Sequence, residues 1–118
     1  EMSSGGDEFV RVVLFFNGRK FEGPQGVVFE GEKRQTRITR SSTMGELHKK
    51  IQAKLGLQDN QCINLLTGRL WQRQQYIGFQ LVDDEDIELL MEEFFKLATK
   101  DFLELYVDFT VADDVLAI

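Results

Sequence analysis

The chain has 118 residues, of which 42% are hydrophobic, and it contains ten phenylalanines and one proline. This length and composition are typical of a single folded domain and exclude an intrinsically disordered chain. The formal net charge of −6 divides into +2 for residues 1–60 and −8 for residues 61–118. A net negative charge disfavours binding to the phosphate backbone of nucleic acids.

The start of the chain is polar, and cysteine is rare. Residues 1–8, EMSSGGDE, have no apolar signal core, so we expect a flexible lead-in or an expression scar before a domain at 9–110 and a tail at 111–118. No apolar run is long enough to predict a membrane span. A single cysteine, Cys62, cannot form an internal disulfide, which indicates an intracellular, reducing compartment.

The first predicted element is a strand over Phe9–Phe16, where apolar residues alternate imperfectly with others. Asn17-Gly18 follows, and both residue types tolerate positive φ, so the dipeptide predicts the turn of a β-hairpin at this point. The next segment contains three glycines and the only proline. It predicts an interrupted return strand with a loop, which ends in a better strand near Arg34–Thr39.

A helix is predicted over the segment TMGELHKKIQAKLGL. Thr43 can cap its first turn while Glu46, three residues on, reaches back to the Thr43 amide, as in a capping box. Gly56 stands where a helix commonly ends in the left-handed conformation. Apolar residues recur at helical spacing between these two signals, which predicts one face buried in the core.

The second half of the chain predicts two short strands, a helix and a last strand. The strands are CINLLTGRLW and QQYIGFQLVD. Asp83 or Asp84 then caps a second, shorter helix. Its core face carries Ile87, Leu90, Met91 and Phe94. The last run, FLELYVDFTV, alternates apolar and polar residues as a half-buried strand does.

The order ββ-α-ββ-(α)-β predicts an α+β fold of the ubiquitin-like β-grasp type. We expect a mixed sheet of four to five strands, packed against one main helix and a second, shorter one. No internal repeat or low-complexity linker divides the chain.

Metal binding and catalysis find little support in the sequence. A calcium loop starting at Asp84 needs glycine at its sixth position and glutamate at its twelfth, but these positions are Leu89 and Phe95. The chain has one histidine, His48, and one cysteine, too few for a zinc site without carboxylates. We expect His48 on an exposed helix flank and Cys62 as a small apolar strand residue. No metal site, cofactor or enzymatic activity is therefore predicted.

Charge clusters are the remaining candidate for function. Seven acids fall among the fifteen residues 81–95. One or two acids suffice to cap a helix, so a longer run predicts an acidic interaction patch, consisting of Asp83, Asp84, Glu85, Asp86 and Glu88. The basic counterpart lies in the first half of the chain. It consists of Arg11, Arg19, Lys20, Arg34, Arg37 and Arg40.

Three motifs also resemble a known family. The capped helix ending KKIQAKLGL, the segment YIGFQLVDDEDIELLMEEF and the strand FLELYVDF are similar to the PB1-like, ubiquitin-fold domain at the N-terminus of plant Mutator-like (MuDR-type) transposases and their domesticated relatives. PB1 domains pair a lysine on strand one with an acidic motif on a partner. The resemblance places Arg11 at the position of that lysine and Asp84, Asp86 and Glu88 along the acidic motif. It also implies a nuclear setting.

The expected function is therefore a non-enzymatic protein–protein interaction or oligomerisation domain of a transposase-like protein. Opposite patches on separate faces would let one copy meet the next head to tail, and such a contact tends to propagate. The alternative is an accessory contact to nucleic acid. Its residues would be Arg34, Arg37 and Arg40 with Lys49 and Lys50, and Trp71 could stack on bases, although a buried core tryptophan is the simpler interpretation. The glycine-rich segment 20–31 is a further candidate binding loop.

Overall fold

The computed structural model describes residues 8–97 and 102–111. Two strands, β1 (Phe9–Gly23) and β2 (Gly26–Thr39), precede helix α1 (Met44–Leu55). Strands β3 (Gln61–Gln72) and β4 (Gln75–Leu81), helix α2 (Asp84–Phe95) and strand β5 (Leu103–Val111) follow. This is the predicted element order. Of the predicted lead-in and tail, only Glu8 and Val111 lie among the described residues.

The first hairpin turns later than predicted. β1 does not end at Phe16 but continues to Gly23, and β2 is one continuous strand instead of an interrupted one. Asn17-Gly18 forms a bulge in which β1 carries two residues where β2 carries one, Gly31. Asn17 has φ of 55°, and a Cβ on Gly18 would lie 2.0 Å from the Glu30 carbonyl oxygen. The dipeptide therefore supplies the positive φ and the close approach of a bulge.

The five strands form a mixed sheet that closes on itself in the order β1-β2-β4-β3-β5. β1 pairs with β5 in parallel. β3 lies between β5 and β4 and pairs with both of them in the antiparallel direction. The joint between β2 and β4 is a single bridge from Gly26 to Tyr76, where the Tyr76 amide donates to the Gln25 carbonyl at 2.6 Å. Gly26 has φ of 103°, and a Cβ there would lie 2.1 Å from the Tyr76 carbonyl oxygen, so this closure requires glycine.

Both helices begin with capping boxes. In α1, the Thr43 hydroxyl accepts from the Glu46 amide, and Gly56 ends the helix at φ of 66°, as predicted. In α2, the N-cap is Asp83. The expectation of a shorter second helix was wrong, because α1 and α2 have twelve residues each. Neither described helix has the length and apolarity needed to cross a bilayer.

One face of the sheet, here called the inner face, packs against both helices. The core includes Val12 and Leu14 of β1, Ile51 of α1, Leu90 of α2 and Leu105 of β5, each almost fully buried. The predicted core positions of α2 are all buried. Because both helices cover the same face, the side chains that alternate with the core residues on the strands point to the opposite, outer face.

The outer face holds a second, smaller cluster. Phe15, Phe29 and Tyr106 pack together there, with ring centroids 5.5 and 5.7 Å apart for the two contacts of Phe29. The long hairpin curls over this face so that Phe29 can reach it. Trp71 also lies on the outer side, 42% exposed and 4.9 Å from the Tyr76 ring, so the simpler interpretation of a buried core tryptophan was wrong. Cys62 is exposed on β3, and His48 is half-buried on α1.

Candidate functional site

Three of the five acids in the predicted acidic patch serve the local structure. The Asp83 carboxylate accepts from the Asp86 amide at 3.0 Å, and the Asp86 carboxylate accepts from the Val82 amide at 2.8 Å. Asp84 reaches the other helix, where its carboxylate accepts from the Met44 amide at 2.7 Å. Such contacts satisfy amides that lack partners at a helix start. These three acids thus fix the start of α2 and join it to the start of α1.

The other acids project from the exposed face of α2. Glu85 and Glu88 are exposed, and Glu92 continues the same face one turn later. We call these three residues the acidic ridge. No salt bridge involves any of them within the residues that the structure describes. Capping therefore does not account for the acidic ridge, and its carboxylates remain open to a partner.

Two members of the predicted basic patch are paired inside the molecule. Arg19 forms a salt bridge of 2.9 Å with Glu30 across the hairpin. Lys20 reaches Asp108 of β5 at 3.2 Å. Their charges are therefore largely compensated near the far end of the hairpin, away from Arg11.

A third member, Arg40, lies next to acids. Its guanidinium pairs with Glu8 at 3.1 Å and stacks on the Phe95 ring, with 4.3 Å between the guanidinium carbon and the ring centroid. It also lines a groove that contains Asp84 and Glu88. The structure therefore places Arg40 beside the acidic patch and does not bring it together with the other basic residues.

Arg11, Arg34 and Arg37 do form a group, and three lysines complete it. Arg11 and Arg37 face each other across the β1–β2 pairing, and both line a depression with Lys50 and Lys54 of α1. A neighbouring pocket, which Arg11 also lines, adds Lys33 and Arg34 of β2. We call the whole set the basic surface: Arg11, Lys33, Arg34, Arg37, Lys50 and Lys54. Among the described residues, no acid forms a salt bridge with any of the six.

Cations on this part of β2 also have an ordinary structural role. Between Lys33 and Thr39, β2 pairs with β1 alone among the described strands, so its other edge is open. Charged side chains on an open edge discourage pairing with strands of other molecules. This role does not extend to Lys50 and Lys54, which belong to a helix. Their addition makes the basic surface broader than edge protection requires.

The Arg11 part of the basic surface lies on the side of the sheet opposite the acidic ridge, whereas Lys50 and Lys54 belong to α1, which packs on the inner face. Arg11 alternates with the buried Val10 and Val12 and so emerges from the outer face. α2 covers the inner face, and its ridge points away from it. Within the described residues, no salt bridge connects Arg11 with Asp84. One molecule therefore presents two uncompensated surfaces of opposite sign.

The sequence interpretation missed a charged pair that organises the outer face. Arg69 binds Glu104 through two hydrogen bonds of 2.9 and 3.0 Å, and the two side chains are only 12% and 14% exposed. The guanidinium also donates to the Val27 carbonyl at 2.9 Å and lies 4.0 Å from the Tyr76 ring centroid. We call this arrangement the Arg69 cluster. It ties β3, β5, β4 and the far end of the hairpin together.

The described residues do not form a metal site or the predicted base-stacking site. No group of three or more histidines, cysteines or carboxylates is placed to hold a metal ion in residues 8–97 and 102–111. Trp71 lines a cleft with Tyr76 and Phe102, whereas the depressions of the basic surface do not include it. The predicted partnership of Trp71 with the basic residues for stacking on bases is thus not assembled.

Comparison with known proteins supports the fold assignment. Neither the protein-family models nor the curated proteins match this chain. Among solved structures, the chain is similar to the PB1 domain of AtNBR1, determined by cryo-electron microscopy as an L-type filament. The TM-score is 0.55 at 18% sequence identity, over 87% of this chain and 99% of that chain. The similarity confirms the predicted α+β, ubiquitin-like β-grasp fold of the PB1 type.

Proposed function

We propose that this domain is a non-enzymatic protein–protein interaction domain that associates with itself head to tail. In this arrangement the acidic ridge of one copy, with Asp83, Asp84 and Asp86 behind it, meets the basic surface of the next copy. The observation that carries the proposal is the pair of oppositely charged surfaces on one molecule, neither of which forms a salt bridge among the described residues.

The placement of the two surfaces favours a chain of molecules over a symmetric dimer. A contact between two different patches uses one patch on each copy and leaves the other patch free, so further copies can add. The PB1 domain to which the fold is similar is described as a filament, which is consistent with this mode. Complementary charge mainly raises the association rate and the specificity, so we expect the association to weaken as salt increases.

A protein partner accounts for the charges better than a nucleic acid does. The basic surface carries six cations, but the domain has a net charge of −6, and the acidic ridge would repel phosphates that approach from its side. An acidic protein surface, by contrast, is present on the same molecule. The nucleic-acid contact therefore remains the alternative, and duplex DNA serves as a competitor in the test below.

A complementation experiment tests the head-to-tail mode. We expect the variant Glu85→Lys/Glu88→Lys and the variant Arg11→Glu/Lys33→Glu each to lose self-association, because each lacks one of the two surfaces. When the two variants are mixed, one intact basic surface meets one intact acidic ridge, so a 1:1 complex should form and should not grow. Sedimentation velocity at about 50 mM salt, where screening is weak, measures all three samples.

The matched control for the Glu85→Lys/Glu88→Lys variant is Glu22→Lys/Asp59→Lys, which makes the same change in net charge at two exposed sites outside both surfaces. It should sediment as the unmodified chain does. Self-association that persists unchanged in both surface variants would contradict the proposal. Loss of assembly upon addition of duplex DNA, with a salt-dependent complex of DNA and protein, would instead favour the nucleic-acid alternative.

The wider setting is also part of this proposal. A transposase-like parent protein from a plant, and a nuclear compartment, rest on the sequence resemblance of the acidic segment and the last strand. In such a protein, a self-associating domain would bring several copies of the remaining chain together, and linkage of several binding modules raises their combined affinity for a shared target.

A further inference from the structure

We propose that Leu89 is an apolar anchor of the head-to-tail contact, and that it inserts into a pocket of the next copy beside Arg11. This inference rests on the proposed function and specifies how the two surfaces recognise each other. It assigns a role to two exposed apolar side chains, Leu89 and Phe102, which take no part in pairing of charges.

The receiving pocket has an apolar floor and a basic rim. Val13, Phe15 and Phe102 supply apolar surface, and Phe102 is 43% exposed. Arg11, Lys33 and Arg34 line the same pocket, whose volume is about 580 Å³. Its remaining lining residues are Gln35 and Glu104, and the Glu104 carboxylate is paired with Arg69. A site of this kind suits a ligand that has an apolar centre surrounded by carboxylates.

The acidic ridge presents such a group. Leu89 is 50% exposed on α2, on the side opposite the buried Ile87, Leu90, Met91 and Phe94. It follows Glu85 by four residues and precedes Glu92 by three, so both carboxylates are its neighbours on the helix surface. Glu88 precedes it directly in the sequence. Leu89 therefore lies beside the acidic ridge, with Glu85 and Glu92 as its acidic neighbours on the helix surface.

The match between the two surfaces covers both charge and polarity. The pocket has three cations beside apolar side chains, and its one carboxylate, Glu104, is paired with Arg69. The exposed face of α2 has two carboxylates, Glu85 and Glu92, next to Leu89. A buried apolar group at the centre of a polar rim is the usual arrangement of an interface that excludes water. A single exposed leucine is common on protein surfaces and needs no explanation by itself. The case for an anchor comes from its position next to Glu85 and Glu92 of the acidic ridge, together with the apolar pocket that the cations of the basic surface line.

The occupant that we infer is a second copy of this chain. Both halves of the contact are present on one molecule and lie on different sides of the sheet, so they can meet only between molecules. A foreign acidic helix with an exposed leucine would fit the same pocket. Self-association of the purified chain separates these two cases, because only the first case produces it.

The test measures self-association of the full 118-residue chain by sedimentation equilibrium at low and at about 1 M salt, where the Debye length is only about 3 Å. We expect Leu89→Ala to weaken association about tenfold, a loss typical of an interface anchor. The control is Val82→Ala, which shortens an apolar side chain that is 66% exposed but lies outside α2. This control should associate as the unmodified chain does.

Phe102→Ala should reproduce the effect of Leu89→Ala, and the double variant should lose little more than either single one, because the two side chains act in one contact. Additive losses, or equal association of Leu89→Ala and the unmodified chain at both salt concentrations, would overturn the inference. If the charge reversals abolish assembly while Leu89→Ala does not, the proposed function stands and the anchor fails. If none of these variants changes assembly, both fail.

Discussion

The outer face of the sheet carries two arginines, Arg69 of the Arg69 cluster and Arg11 of the basic surface, and they differ in what surrounds them. In the Arg69 cluster, the guanidinium is buried between rings, paired twice with Glu104 and bonded to a carbonyl. In the basic surface, Arg11 is exposed and forms no salt bridge among the described residues. Arg69 therefore holds strands together, whereas the Arg11 guanidinium is accessible to an external partner.

The cause of this difference is the curled hairpin. Its far end folds over Arg69 and brings Phe29 and the Val27 carbonyl with it, so water is removed and a counterion is needed. Nothing in the described residues covers Arg11 in this way. Two arginines in similar alternating strands therefore take different roles because only one of them lies under the hairpin. We therefore expect substitutions in the Arg69 cluster to lower the free energy of unfolding, and substitutions at Arg11 to weaken self-association.

The largest effect is expected for Arg69→Met. It leaves the Glu104 carboxylate buried without a partner, so the free energy of unfolding should fall by about 3–5 kcal/mol. Arg11→Met should change it by less than about 0.5 kcal/mol. Urea denaturation at a salt concentration that disperses assemblies measures both. The double variant Arg69→Met/Glu104→Leu should regain much of the loss, and equal stability of the two single variants would remove the basis of the comparison.

A smaller effect is expected at the bulge, which lies between the two regions on β1. Gly18→Ala places a Cβ against the Glu30 carbonyl and should lower the free energy of unfolding by about 1–3 kcal/mol, within the usual range for steric changes. Gly45→Ala is the matched control, since its nearest neighbour would lie 3.9 Å away and alanine favours the helix. Thermal melting compares them. A Gly18→Ala chain as stable as the Gly45→Ala chain would argue against the bulge.

The smallest effect extends the comparison to the acids. Asp83→Ala removes an N-cap and should cost about 1 kcal/mol, but the acidic ridge is left intact, so assembly should change little. Glu85→Ala should do the reverse, with stability retained to within about 0.5 kcal/mol and weaker self-association at low salt. Paired melting and light-scattering measurements distinguish the two. If both variants lose stability alike, the division of the acids into capping and projecting groups is wrong.

Local signals in the sequence were sufficient for most of the fold. The capping box at Thr43 and the glycine at position 56 placed both ends of α1 correctly, because helix ends depend on residues a few positions apart. The alternation in 103–110 likewise predicted β5. The wrong prediction of a hairpin turn at Asn17-Gly18 has the same local origin, because a turn and a bulge both favour residues that tolerate positive φ. Only the pairing partner, fourteen residues later, distinguishes them.

The candidate site was less predictable, because salt bridges connect distant parts of the chain. Nothing near Lys20 indicates that it meets Asp108, or that Arg40 lies against α2. The Arg69–Glu104 pair depends on the register of β3 with β5, which the local sequence does not specify. Some signals were available. Lys50 and Lys54 are spaced by one helical turn, and a helical projection places Leu89 opposite the core positions of α2.

The closure between β2 and β4, next to Gln25 and Tyr76, is the shortest strand pairing of the described sheet. Because one bridge joins β2 to β4, the hairpin tip can detach without breaking the core, and local openings of this kind cost less free energy than global unfolding. Deuterium uptake at the Tyr76 amide would therefore report how often the tip lifts. Lifting of the tip also withdraws the Val27 carbonyl from the Arg69 guanidinium, so this motion changes the hydration of the ion pair.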